Sequence, residues 1–288
     1  MWFRGTSIGD GIWTYLTRIV FDKKLPEFFD NQDLLLNEER HYPTSWGNVG
    51  YWKGTSSFPE AGENLAKELG YFANLATRDV ILDVGFGMGQ QFYIWLGYFH
   101  VNHCHGINIS KAQTDYCRKH VLPVFKSKLD IFHGTIETVN LPNEMFTKVL
   151  VLDAIYHFSD KSKFFGMVFD YLQKGGVLAF TDMAIRTDKK LPFFVKHLLR
   201  LGGIPTVNQN TIDELKRSLS QQGYENIEVI DISPFIFDGF HQFLREFGHG
   251  QKSRLRPYLL LRYWMAAIFT KHLASKYIHY VMVKAKKS

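Results

Sequence analysis

Residues 81–91 read Ile-Leu-Asp-Val-Gly-Phe-Gly-Met-Gly-Gln-Gln, an apolar run that breaks into three glycines, Gly85, Gly87 and Gly89. Glycines at a strand-to-helix turn let backbone N–H groups approach a ligand, and the helix N-terminus beyond them favours negative charge. That is chemistry for part of a nucleotide. The dinucleotide fingerprint G-x-G-x-x-G is not met: the third glycine comes one residue early, and Gln90 holds the place it would need. Alone, the glycine run also fits a plain tight turn. Three later apolar runs end in polar residues, at Gly106-Ile107-Asn108-Ile109-Ser110, Gly134-Thr135-Ile136-Glu137 and Leu152-Asp153-Ala154. In an open α/β sheet ligands bind at the carboxyl ends of the strands. Four such ends, with Asp83 on the first and Asn108 where ribose hydroxyls would be met, suit one elongated adenosine-containing ligand.

The elements needed to position these residues follow from periodicity. "DVILDV", "CHGINIS", "LDIFHGTIE" and "TKVLVLDAIYHF" read as strands, the first two followed by the helices "GQQFYIWLGYF" and "KAQTDYCRKHVLPVF". "KSKFFGMVFDYLQKGG" reads as a helix ended by Gly175–Gly176, and "VLAFTDMA" as a fifth strand. "TIDELKRSLSQQGY" enters a helix through Thr211 with Glu214 three residues on, a capping-box pattern, before the strands "NIEVIDIS" and "KYIHYVMVKAKK". Alternation of this kind predicts an α/β fold: a Rossmann-like, mostly parallel seven-stranded sheet sandwiched by helices. Residues 1–75 read as a helical cap, with the amphipathic segment "GIWTYLTRIVFDKKL", the aromatic loop 41–57 carrying Trp46, Tyr51 and Trp52, and the helix "FPEAGENLAKELGYFANL". Residues 76–288 form the main domain, with Phe- and Leu-rich helical insertions at about 188–210 and 234–275 that could cover the strand ends.

Composition excludes several classes. The chain of 288 residues is 45% hydrophobic and 22% charged, ordinary for a globular protein, but its 25 Phe, 14 Tyr and 6 Trp exceed what a core of this size needs. No apolar stretch is long and uncharged enough to cross a bilayer, the best candidate, Tyr258–Thr270, being short and holding Arg262. The N-terminus lacks the order of a signal peptide. Cys104 and Cys117 form no C-x-x-C, so reduced thiols, a cytoplasmic setting and no metal are expected. His103 and His105 flank Cys104, but two residues at the start of one strand do not complete a metal site. Net charge is +6 and uneven: from Gly239 on, ten Lys/Arg face one acid, Glu246, a surplus of nine that leaves the preceding residues at −3. Such a basic end suits a solvated face, a phosphate-bearing ligand or peripheral contact with an anionic membrane. Nucleic acid is not expected, as no reading module accompanies the charge. Self-association is compatible with the sequence.

With its four strand ends in this order, the chain resembles the class I S-adenosylmethionine-dependent methyltransferases, whose first motif has the form (V/I)-L-D-(V/I)-G-x-G-x-G. The phrases "GINISKAQ", "DAIYHF" and "LQKGGVLAFTD" are similar to a small-molecule and lipid subset: sugar O-methyltransferases, sterol and tocopherol methyltransferases, and cyclopropane fatty acid synthases. The resemblance implies S-adenosyl-L-methionine as cofactor and S-adenosyl-L-homocysteine as product. It implies Gly85, Gly87 and Gly89 beneath the methionine moiety, Gln90 among the cofactor-binding residues, and Asp83 acting through the loop or on the amino group. It places Asn108 at the ribose, replacing the usual acid, Ile109 among the cofactor-binding residues, and Gln113 at the adenosine end. Thr135 and Ile136 would face adenine, Thr135 standing where many relatives have Asp. Asp153 would lie near the methionine, with Tyr51 or Trp52 either closing over it or simply packing the cap.

For the reaction the resemblance points to His157 as general base for a hydroxyl acceptor, with Tyr156 beside it where the sugar enzymes carry a second His. Asp182 would orient or support His157, or else serve a structural or acceptor-binding role. Packing beneath the cap is the competing reading of His157. Cyclopropane synthases carry Glu at the Tyr156 position, so cyclopropanation is not expected. The Phe-rich insertions imply an apolar acceptor: a lipid, isoprenoid or natural product methylated on oxygen or carbon, or alternatively an amine head group. Two rivals from other classes are an NAD-dependent oxidoreductase and a non-catalytic interaction subunit. Gln90 and Asn108 count against the first, and the three clear glycines against the second.

Overall fold

The computed structural model describes residues 34–37, 44–187, 190–250 and 257–288. The amphipathic segment 11–25 and the opening of the aromatic loop lie outside them. Seven strands form one sheet in the order β3-β2-β1-β4-β5-β7-β6. β1 (Val80–Val84) lies between β2 (His103–Asn108) and β4 (Phe146–Val151), parallel to both. β3 (Leu129–His133) extends the parallel array beyond β2, and β5 (Leu172–Ile185) extends it beyond β4. β7 (Ile278–Lys287) is inserted between β5 and β6 (Tyr224–Asp231), antiparallel to both. Chain order reverses between β1 and β4, which opens a crevice at their carboxyl ends.

Both faces of the sheet are buried, and period-two side-chain alternation divides the core in two. Val149, Val151, Leu178, Phe180, Val281 and Val283 point into one cluster with Phe164, Phe165, Leu215 and Leu219. Leu150, Leu152, Ala179, Tyr280 and Met282 point into the other with Leu65, Leu69 and Trp95. The covering helices are α1 (Phe58–Phe72), α2 (Lys111–His120), α3 (Lys161–Tyr171), α4 (Phe193–Leu201), α5 (Ile212–Gln221), α6 (Phe237–Gly250) and α7 (Pro257–Ile268). The capping box at Thr211 and Glu214 is in place at the start of α5, and the Ser110 hydroxyl caps α2 by accepting from the Gln113 N–H.

Four expected boundaries are corrected. The helix expected over 89–99 is shorter, a π-helix over Tyr93–Tyr98. The long helix expected from Lys111 stops at His120, and a separate short turn runs over Leu122–Phe125, because Pro123 has no N–H to continue the ladder. α3 ends at Tyr171, and residues 172–176 belong to β5, where Leu172 pairs with Phe146. The Lys287 ammonium fixes that corner by donating to the Leu172 carbonyl at 2.8 Å. β4 ends at Val151, and Ile155–His157 forms a single 3-10 turn. Among the described residues no helix is long and apolar enough to cross a membrane.

Candidate active site

The glycine turn leaves β1 with positive φ at all three glycines, 86°, 57° and 87°. Their surroundings differ. A Cβ on Gly85 would meet that of Ala154 at 2.7 Å, and one on Gly89 would meet Cys117 Sγ at 2.4 Å. Gly85 and Gly89 are therefore required by the close approach of the β4 turn and of α2. Gly87 has nothing within 4 Å of the position its Cβ would take, so the loop offers bare backbone there to open space.

The side chains around the loop hold it in shape. Asp83 is fully buried and accepts from Trp95 Nε1–H at 2.7 Å and Gln91 Nε2–H at 3.3 Å. Burial pushes its carboxyl up to about 7 against the pull of these two donors. Both Asp83 oxygens are thus engaged by side chains of the segment that follows the glycines. Gln90 Oε1 accepts from the Ser45 backbone N–H and hydroxyl, both at 3.1 Å, and so ties the loop to the segment before Trp46. Asn108, at the end of β2, donates its amide N–H groups to the Gly87 carbonyl (2.9 Å) and to Gln113 Oε1 (2.8 Å). This unit joins three residues expected at the cofactor.

Ile109, next to it, is half-buried, and its carbonyl accepts from His133 at 3.2 Å. The pair expected to face adenine follows the end of β3. Ile136 is buried in the core with Leu82, Val84 and Ile107, and the Thr135 N–H is taken by the Thr138 hydroxyl at 2.9 Å.

Asp153 stands just past β4 with φ +54°, a left-handed conformation that Asp tolerates better than most residues. Its Oδ2 accepts from the Val49 N–H at 2.8 Å, and its Oδ1 accepts from the Tyr156 hydroxyl at 2.6 Å and from the Tyr280 hydroxyl. Burial raises its carboxyl to about 6, while the three donors oppose the rise. Burial also pushes the Tyr156 hydroxyl well above its ordinary range. Tyr156 is thus a support for Asp153 and not a proton acceptor.

His157 Nδ1–H donates to the Gly203 carbonyl at 3.0 Å, in the insertion after α4. That bond fixes the neutral tautomer with the lone pair on Nε2. Burial lowers its pKa to about 4, the Gly203 contact opposing the fall. The expected partnership with Asp182 is corrected: Asp182 is fully buried and bound instead to the Lys161 ammonium at 2.6 Å, its second oxygen accepting from the Met183 N–H. Burial raises its pKa against the pull of Lys161. Lys161, at the start of α3, is itself 3% exposed. The orienter of His157 is a backbone carbonyl 46 residues away in sequence.

Tyr51 and Trp52 pack the cap. Trp52 lies among Phe58, Phe240 and Phe243, its indole N–H donating to the Val49 carbonyl at 2.8 Å. The Tyr51 ring rests on Phe235 at 4.9 Å. Of the two readings given to them, these contacts with the second insertion correspond to packing of the cap. Sequence reasoning missed Lys161, Tyr280, Thr181, Gln91, Trp95 and Gly203. Only Trp95 and Gln91 carried a local signal, since both lie within about two helical turns of the glycines.

Residues 82–180 match the family model described as "Methyltransferase domain". The chain is 28% identical over 201 residues to erythromycin 3''-O-methyltransferase of Saccharopolyspora erythraea, covering 66% of this chain and 65% of that one. It thus spans just under two thirds of that relative. Among solved structures it is similar to the 4+2 cyclase SpnF, with a TM-score of 0.71, 19% identity and coverage of 91% and 94%. It is also similar to geranyl diphosphate C-methyltransferase from Streptomyces coelicolor A3(2), solved with Mg2+, geranyl diphosphate and S-adenosyl-L-homocysteine. There the TM-score is 0.68, identity 13%, and coverage 93% and 99%.

The buried Asp83 carboxyl makes a signed prediction. A folded pKa of about 7 against 3.8 means that the native state binds the proton more tightly, so its contribution to stability is present at low pH and lost as pH rises from about 4 through 7. Asp83→Asn removes that slope, on the order of a few kcal/mol. Urea unfolding at pH 5 and pH 8 checks it: the wild-type loss across this interval should shrink in the variant, and an equal loss in both would contradict the assignment.

Proposed function

We propose that this chain, which carries a class I S-adenosylmethionine-dependent methyltransferase domain, transfers a methyl group to a small apolar acceptor, on oxygen or carbon. The observation that carries the reading is the open cradle at Gly87, held by Asn108 and Gln113 and flanked by the turn at Asp153. S-adenosylmethionine supplies the methyl group as a sulfonium electrophile. The glycine backbone lets the ligand approach without side-chain interference, and the Asn108 amide, both N–H groups already placed, presents its carbonyl oxygen to hydroxyls. The Asp153 carboxylate offers negative charge beside a cationic ligand.

His157 acts on the acceptor. With Nδ1–H committed to Gly203, its Nε2 is the atom that takes a hydroxyl proton as the new carbon–oxygen bond forms. Burial keeps it unprotonated above pH about 4, so it is in its accepting form throughout the physiological range. Lys161 and Asp182 fix the floor on which this turn rests. The similarity to erythromycin 3''-O-methyltransferase supports an oxygen acceptor, and an amine head group is not favoured. The dehydrogenase and interaction-subunit rivals have no comparable support.

Partner and location follow from the surface. Part of the C-terminal basic surplus is committed within the sheet, Lys284 to Glu228 at 3.1 Å and Lys287 to Glu144 at 3.7 Å. The better membrane-facing feature is α4, where Phe193 is 85% exposed and Phe194 55%, beside exposed Lys196 and Arg200. An apolar face rimmed by cations suits peripheral contact with anionic lipid, from which an apolar acceptor would be drawn.

Calorimetry tests the cofactor: S-adenosylmethionine and S-adenosylhomocysteine should bind and NAD should not, and binding of NAD alone would end the reading. His157→Ala should lower methyl transfer to hydroxylated isoprenoid, sterol and macrolide acceptors about 100-fold, with cofactor affinity intact. In the wild type with S-adenosylmethionine saturating, so that titration of Asp153 does not limit cofactor binding, kcat should show no acid limb near pH 6.5; unchanged turnover in the variant would remove His157 from the reaction. In flotation assays the protein should rise with phosphatidylglycerol vesicles and not with phosphatidylcholine. F193E combined with F194E should abolish this, and equal flotation of wild type and variant would reject α4 as the contact.

A further inference from the structure

We propose that His103, His105 and Asp130 form a divalent transition-metal site of the zinc type, clamping β2 to β3 at the edge of the sheet. His103 and His105 are two residues apart on β2 and so share one face, and the parallel register sets Asp130 of β3 directly beside His105. The sequence offered only the two histidines; strand pairing supplies the third donor. Asp130 Oδ2 lies 2.8 Å from His103 Nε2 and 3.5 Å from His105 Nδ1, and one donor atom from each residue falls within a 4.8 Å group. Two donors each 2.0–2.1 Å from a tetrahedral ion sit about 3.3 Å apart, a spacing these distances bracket.

An ion pair between His103 and Asp130 would explain those two residues without a metal. It does not explain His105. This ring is 7% exposed, and its Nδ1 is buried without a hydrogen-bond partner, a state that costs free energy unless something satisfies the nitrogen. Phe132 stacks on the ring and Phe146 meets it edge-on at 5.3 Å, so the orphan nitrogen is fixed in direction, toward the carboxylate of Asp130. Two imidazoles and one carboxylate are the donors zinc(II) and its neighbours prefer, whereas magnesium and calcium demand oxygen. Asp130 is half exposed, which leaves room on the solvent side for water as fourth ligand.

The site is remote from the crevice. His103 begins β2 and Asn108 ends it, about 16 Å apart along an extended strand. Its effect is therefore on stability: an ion that binds only the folded chain raises the melting temperature by mass action, and it does so at an edge strand.

The test uses the full chain stripped with chelator and titrated with ZnCl2 or MgCl2, followed by calorimetry and melting temperature, with CoCl2 as spectroscopic probe. One zinc per chain should bind and raise Tm, magnesium should not, and cobalt should give visible bands of tetrahedral type. Asp130→Asn and His103→Gln should each weaken zinc binding at least tenfold and abolish the cobalt spectrum, leaving S-adenosylmethionine binding unchanged. Asp130 sits at the surface, so its variant decides the matter even if the histidine variant folds poorly. No saturable zinc binding, or wild-type affinity in Asp130→Asn, overturns the proposal.

Discussion

The carboxylate of Asp153 is the acceptor on which the crevice depends. It receives a backbone N–H from the cap at Val49, a hydroxyl from its own turn at Tyr156, and a hydroxyl from the last strand at Tyr280. Its own N–H donates to the Thr181 hydroxyl on β5 at 2.7 Å. Four segments far apart in sequence thus converge on one residue. Hydrogen bonds to a charged group contribute about 1.5–3 kcal/mol each, and their loss leaves a buried charge unsatisfied. The left-handed backbone at Asp153 aims Ala154 at the glycine turn, where its Cβ leaves no space for a side chain on Gly85. The form of the glycine motif is thereby partly a packing consequence of a turn seventy residues later.

A second buried polar assembly supports the acceptor side. Lys161 and Asp182 are both almost wholly inaccessible. The Lys161 backbone N–H donates to Asn208 Oδ1 at 3.0 Å, and the Asn208 amide donates in turn to the Phe158 and Tyr156 carbonyls. A buried ion pair returns little net stability relative to an apolar core, yet removing one partner is costly. Its effect here is positional. It brackets the 3-10 turn carrying His157 between α3 and the segment after α4, so the insertion that supplies Gly203 is tied to the turn by more than one bond.

The alternation of strands, the sheet type, the capping of α5 and the polar residues at the four strand ends were legible because each depends on local spacing. The partners were not. Asp182 and His157 stand at adjacent strand ends and pairing them was the natural reading, but the deciding residue, Lys161, looks in sequence like any solvated lysine opening a helix. Tyr280 reaches Asp153 only because β7 enters the sheet antiparallel beside β5, which nothing near Tyr280 encodes. The same holds for Trp52. Its aromatic loop reads equally well as a ligand lid or as cap packing, and Phe240 and Phe243, almost two hundred residues on, settle it as packing. Local boundaries failed where long-range pairing overrode propensity, as at residues 172–176, drawn into β5 by Phe146 and Lys287.

The charges left in the crevice bear on which ligand fits it. Asp182 is neutralised by Lys161, and His157 is uncharged above pH about 4. Asp153, with a pKa of about 6 and three donors none of which is a cation, carries a negative charge at neutral pH that no side chain beside it cancels. Buried charge without a counter-charge is expensive, and the cost falls when a cation occupies the adjacent space. A sulfonium with an α-amino group is such a cation. A dinucleotide, bearing two phosphates, would instead be repelled by Asp153. The sign of this one carboxylate therefore makes the choice between ligands, and the bare backbone at Gly87 supplies the room for the one it favours.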